Sequence, residues 1–201
     1  LKVSGNKILN KKGVFLLKQA LLVIDAQQEL IDGNEKEMSV FNKDNLLDTI
    51  NSVLKKALVS ESIVVFIRDK DVAEGQGKGF EIHPDIDIPK GAKIFDKEAT
   101  NSFYGTPLLG FLQVNRVEHL VVMGCKTEHC IDTAIRTATV NGFDVTLVGD
   151  GHSTTDSQSI TAEQIIDHHN EVLHGHYNVD NFSVVRNGSE DLFIPNHDDY
   201  R

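Results

Sequence analysis

Three residues in this 201-residue chain are equipped for covalent chemistry, a thiol, a carboxylate and an ammonium, and each stands just beyond an apolar run. The stretch VVMGCKTEHCID, residues 121–132, passes from an apolar run through Gly124 to Cys130 at the start of an amphipathic helical pattern. Thr127 is expected to cap that helix with Cys130 three residues on. Free N–H groups and the positive end of the helix dipole there favour a thiolate over a thiol. Position alone makes Cys130 either a nucleophile or, as free cysteines often are, a small buried hydrophobe. Asp25 closes the apolar run 20–24, and Lys97 follows the run 92–95 after Asp96. The carboxylate can act as a base, the ammonium favours a neighbouring thiolate, and the thiol can attack. The plainer alternatives are a strand cap, a surface charge and a packing residue.

The elements that would position these groups follow from hydrophobic periodicity. Continuous apolar runs at 20–24 and 63–67 read as strands buried on both faces, and the mainly apolar stretches 92–95, 117–124, 145–148 and 182–185 read as further strands. Leu46, Leu47, Ile50, Val53, Leu54, Ala57 and Leu58 recur at helical spacing, with Lys55 and Lys56 on the solvated face. Thr106 and Pro107 open a helix running to about Val114, and Ile131, Ala134, Ile135 and Ala138 mark another that Asn141 and Gly142 stop. Thr161 with Gln164 makes a capping box ahead of Ala162, Ile165, Ile166 and His169.

Strands alternating with helices predict an α/β fold, a three-layer α/β/α, doubly wound, mainly parallel sheet of about six strands, Rossmann-like. The chain is expected to form a single domain over 1–201, with 1–17 an N-terminal arm and 188–201 a polar C-terminal tail. In such a sheet ligands bind beyond the carboxyl ends of the strands where the strand order reverses, so Asp25, Lys97 and Cys130 should share one rim. The 71–91 segment, rich in glycine and charge, is a long loop whose Glu81, His83 and Asp85 read as solvent-facing polars.

The ordered set LLVIDAQ with Asp25 and Gln27, KEATNSF followed by GTPL around Lys97, GCKTEHC with Thr127 and Cys130, and VTLVGDGHST resembles the isochorismatase-like cysteine hydrolase superfamily over roughly residues 18–175. That family includes nicotinamidases, N-carbamoylsarcosine amidases, ureidoacrylate amidohydrolases and isochorismatases. The resemblance implies a catalytic triad of Asp25, Lys97 and Cys130. It also implies a cis peptide before Lys126, and an oxyanion hole of the backbone N–H groups of Lys126 and Cys130. The activity implied is hydrolysis of a small amide-like C–N bond through a Cys130 thioester, in a homo-oligomer without a cofactor. Gln27, Phe103 and Tyr104, with the 71–91 loop, are the expected pocket residues.

Two positions depart from the family pattern, Leu30 where an aromatic residue is usual and Lys126 where a small one is. The segment RDKDVAEGQGKG lacks the Asp-x-His pair through which nicotinamidases bind metal, so no metal is expected. True isochorismatases lack the cysteine, which turns the reading toward amides. An isochorismatase-type hydrolase of a non-amide substrate and a non-catalytic binding module of the same fold remain the alternatives. The framework alone does not choose the substrate.

The remaining features exclude rather than assign. A net charge of −10 disfavours nucleic acid and anionic membranes as partners. The chain starts on Leu1 rather than Met, which suggests that its true beginning lies upstream. No apolar run approaches the length of a membrane span and no secretory leader is legible, so a cytoplasmic location is expected. Cys125 and Cys130 are five apart, unlike a redox pair or a zinc ligand set. DAQQELIDG has no dinucleotide-binding glycine loop. The histidines at 168, 169, 174 and 176 read as surface or interface residues rather than metal ligands.

Overall fold

The computed structural model describes residues 18–193; the N-terminal arm expected at 1–17 and the tail residues 194–201 lie outside this range. Five parallel strands form the centre: β1 (Gln19–Ile24), β2 (Ile63–Asp69), β3 (Lys93–Lys97), β4 (His119–Cys125) and β5 (Asp144–Ser153). The short β6 (Tyr177–Asn178) pairs antiparallel with β7 (Asn181–Arg186), which lies parallel to β5. The order is β3-β2-β1-β4-β5-β7-β6, a seven-stranded sheet where six were expected, because residues 177–178 fold back on β7. The order reverses between β1 and β4, so their carboxyl ends diverge into a crevice.

Alternation along β1 explains the layers. Leu21 and Val23 point to one face and pack against Leu46, Ile50, Val53 and Leu54 of α2 (Lys43–Val59). Ala20, Leu22 and Ile24 point to the other and meet Leu108 and Leu112 of α4 (Leu108–Val114) and Ala134, Ile135 and Ala138 of α5 (Asp132–Val140). Both faces are covered, which is why these strands read as unbroken apolar runs. The short α1 (Gln28–Asp32) and α3 (Gly77–Phe80) belong to the loops near the crevice, and α6 (Ala162–Leu173) packs beside β5 with the expected capping box of Thr161 and Gln164 formed.

Several sequence expectations change in detail. Lys97 is the last residue of β3 rather than a residue following it. β5 runs on to Ser153, and its register with β4 jumps from Val122–Leu147 to Gly124–His152, because Gly149, Asp150 and Gly151 bulge out of the ladder. Thr106 Oγ1 accepts from Leu108 N–H as a cap would, although the helix starts one residue later than read. Leu58 is exposed despite its place in the apolar stripe. Lys56 is not simply solvated, since its Nζ donates to the carbonyls of Gly188 and Glu190. The beginning of the supposed surface tail is therefore held, and Leu192 and Phe193 are buried in the α2-side core.

Candidate active site

Asp25 sits one residue past β1 with φ 50°, a left-handed conformation that aspartate tolerates better than most residues. Its N–H donates to Ile67 O (2.8 Å), which ties the turn to the end of β2. Lys97 is buried at the end of β3, and Cys130 stands in the turn after β4, only 9% exposed. Lys97 Nζ lies 3.0 Å from Asp25 Oδ2 and 3.4 Å from Cys130 Sγ, so the three residues named from sequence meet in one notch. Asp69, at the end of β2, is the partner sequence reasoning missed. Its carboxylate also accepts from Lys97 Nζ, and its position on the same rim was the available signal.

The charges in this notch are set by competition. Burial raises the Asp25 carboxyl to about 6, with the Lys97 ammonium pulling it back down. Burial and then the Asp25 charge push the Cys130 thiol up to about 12, and Lys97 offsets only part of that. Burial works against the Lys97 ammonium, but attraction to Asp25 and to Cys130 and a hydrogen bond to Asp69 outweigh it and raise its pKa. Helix position favours a thiolate at Cys130, but desolvation and the neighbouring carboxylate work against it and favour the thiol that Asp25 would deprotonate. Asp25 Oδ1 is buried without a hydrogen-bond partner among the described residues, a free acceptor beside that thiol.

Donor atoms of Asp25, Asp69 and Cys130 lie within 4.8 Å of one another, the only grouping among the described residues with spacing suited to a metal. The Lys97 ammonium touches all three, so a cation is already built into that position. The histidines at 168, 169, 174 and 176 form no such grouping. His169 Nδ1 instead bonds Ile165 O, and His174 Nδ1 accepts from Val185 N–H. Both cysteines are free, and Cys125 is fully buried, with its thiol pKa raised by that burial.

The turn that carries Cys130 differs from the expected capped helix. The peptide bond before Lys126 is cis, as the resemblance implied. Residues Thr127–Ile131 form a wide π turn whose N-cap is Lys126, with no side-chain cap. The Lys126 carbonyl accepts from His129 and Ile131 N–H (both 3.2 Å), passing over Cys130. Thr127 does not cap; its hydroxyl donates to His152 Nδ1 (2.8 Å), whose Nε2 bonds Asn170 Oδ1 (3.0 Å). Buried among these partners, His152 is held neutral with its pKa lowered to about 4 by desolvation. This network fastens the turn to β5 and α6.

A pocket of about 480 Å³ opens over the notch, within the range of small-molecule sites. Its wall includes Leu30, Glu37, Asp71, Ala73, Lys126 and His129. The beginning of the 71–91 loop therefore contributes, but Gln27, Phe103 and Tyr104 do not line the pocket. Gln27 is buried and its amide bonds Asp69 N, Asp69 O and Phe80 O, which fixes the Asp69 backbone. Phe103 stacks on Phe143 and Tyr104 is 73% exposed. His83, expected in solvent, is buried with Nε2 3.4 Å from Asp32 Oδ1, because backbone pairing of 81–83 with 26–28 pulls the loop inward.

Comparison with known proteins gives a consistent picture. The family model described as Isochorismatase domain matches residues 19–173. The isochorismatase family protein YrdC of Bacillus subtilis is 28% identical over 138 residues, which cover 66% of this chain and 72% of that protein. The secreted isochorismatase effector Isc1 of Verticillium dahliae is 25% identical over 151 residues, 73% of this chain and 78% of that protein. Among solved structures, an isochorismatase from Pseudomonas putida aligns with TM-score 0.74 at 26% identity, covering 85% of this chain and 88% of that one. The N-carbamoylsarcosine amidase of Thermoplasma acidophilum shares the fold, with TM-score 0.68 at 20% identity over 87% of this chain and 98% of that one.

Proposed function

The chain belongs to the isochorismatase family of hydrolases, and from that premise we propose that it cleaves a small amide-type C–N bond through a thioester on Cys130. The observation that carries this reading is the position of Lys97 Nζ, within contact distance of both Asp25 Oδ2 (3.0 Å) and Cys130 Sγ (3.4 Å), two residues that line one pocket.

Asp25 is the base. Forming a free thiolate before attack would cost several kcal/mol at about 1.4 kcal/mol per pKa unit, so the proton leaves as the S–C bond forms. The thiol proton passes to Asp25 while sulfur adds to the carbonyl carbon, and the oxygen takes up the negative charge. Backbone N–H groups of Lys126 and Cys130 donate hydrogen bonds to that oxyanion. Collapse expels the amine, which takes the proton from Asp25. Water then adds to the thioester carbonyl and gives its proton to Asp25, the acid is released, and the proton returns to sulfur. Lys97 favours the ionised form of Asp25 between these proton transfers and steadies the sulfur as charge builds on it.

Hydrolysis of a non-amide substrate by proton transfer alone is the second reading, favoured by an Asp25 carboxyl that titrates near neutrality. It leaves Cys130 without a task. Ammonia release from a panel of primary amides, carbamoyl and ureido compounds, compared with Cys130→Ala, separates the two. Loss of turnover in the variant supports the thioester route, and retention of the wild-type rate rules it out. The reading includes a cytoplasmic location, where a catalytic thiol stays reduced, and a homo-oligomeric assembly. Cell fractionation and light scattering test these. One relative is a secreted effector, and among the described residues no helix is long and apolar enough to cross a membrane.

A further inference from the structure

Lys126 is the one feature of the site sequence that the mechanism leaves unused, since only its backbone N–H takes part. Its side chain lines the pocket mouth, where an ammonium would ordinarily attract the carboxylate of a substrate. That charge is already taken. Lys126 Nζ lies 3.3 Å from Glu37 Oε2, across the mouth from the segment between α1 and α2. The other charged groups in the wall have the opposite sign: Asp25, Glu29, Asp69 and Asp71 all face the same cavity. Lys97 beneath them is shared between Asp25 and Asp69. Among the described residues, Glu29 accepts from the neutral amide of Asn34 and neither Glu29 nor Asp71 has a cationic partner.

A cleft lined by one sign of charge focuses the field inside it and sorts what enters. We infer that this pocket selects amide-type substrates bearing a positive charge, accepts neutral ones less well and turns acidic ones away, with Glu37 acting as the specificity residue by neutralising Lys126. The inference rests on the reading of Cys130 as the nucleophile at the base of this pocket, and it names the charge class of what that nucleophile meets.

A test need not wait for the substrate. Three methanethiosulfonates of similar size, cationic, neutral and anionic, each convert Cys130 to a mixed disulfide and release methanesulfinate. The fraction of thiolate at a given pH is common to all three, so their relative rates, normalised to a neutral free thiol, report the pocket field. Cys130→Ala supplies the background, and low ionic strength keeps screening small. The expected order is cationic over neutral over anionic, spanning at least about tenfold. Asp71→Asn should reduce the cationic-to-anionic ratio about threefold, Glu37→Gln should reduce it about fivefold by freeing Lys126, and Lys126→Met should raise it by a similar factor. An anionic reagent reacting as fast as the cationic one, or a ratio unmoved by Asp71→Asn and Glu37→Gln, overturns the inference. The two readings fail separately. If the charge order holds but no amide in the panel is turned over, hydrolysis is in error. If acidic amides are hydrolysed in preference to basic ones, the charge selection is.

Discussion

Asp25 and Cys130 compete for one proton, and the residue that holds it at rest decides how the site responds to pH. With the thiol pushed up to about 12 and the carboxyl to about 6, the sulfur carries the proton throughout the neutral range. Turnover should therefore follow Asp25 alone, with kcat/KM falling below a single pKa near 6 and staying flat to at least pH 9, as a pH–rate profile will read. Asp25→Asn should cost about 10³-fold in kcat/KM with little change in folding. Lys97→Met removes the cation between two carboxylates. Asp25 then titrates higher, so the acid limb should move up in pH. A raised folded pKa means that stability is fully present below the unfolded value of 3.8 and is lost as pH rises through the folded one. Thermal melts of Lys97→Met should thus show a loss of about 3 kcal/mol at pH 8 that shrinks toward pH 4. Sequence pointed to Asp25, Lys97 and Cys130 because each is a reactive type next to an apolar run. It gave Thr127 a capping role and Gln27 a pocket role that the structure does not bear out, and it was silent on Asp69, because the partners of all three lie tens of residues away and only packing selects them.

The elements reach the notch only because two strand ends can come very close. Gly124, with φ 122°, is where β4 bends away from β1, and a Cβ built there would lie 2.0 Å from Ile24 O. Gly124→Ala should destabilise the protein by about 3 kcal/mol or more in denaturant titrations, since neither the backbone conformation nor the contact can be relieved by a side-chain shift. The parallel strands were legible because burial on both faces leaves a continuous apolar signature. The π turn around Cys130 and the bulge at 149–151 were not, because each is fixed by partners on other elements: Thr127 with His152, and His152 with Asn170. The 71–91 loop misled for the same reason. Its polar composition hid Phe80, Ile82 and Ile86, which are buried when the segment pairs with residues 26–28.

At the scale of the whole molecule, stability and chemistry are held in different places. The α2-side core is closed at the far end of the described chain by Leu192 and Phe193, which lie beyond the residues matched by the family model. Gln19 Nε2 bonds the Phe193 carbonyl, so the start of β1 and this segment secure one another. Phe193→Ala should cost about 3 kcal/mol in a denaturant titration, while kcat/KM at 25 °C stays within about twofold because the residue does not line the pocket. Hydrolysis at this site requires the sulfur of Cys130 to become acylated. Intact-mass spectrometry of the protein, acid-quenched during turnover of an amide substrate, tests this most directly. The predicted result is an adduct of the acyl mass on the peptide containing Cys130, absent from Cys130→Ala. Steady turnover with no adduct, and at an equal rate in that variant, would contradict it.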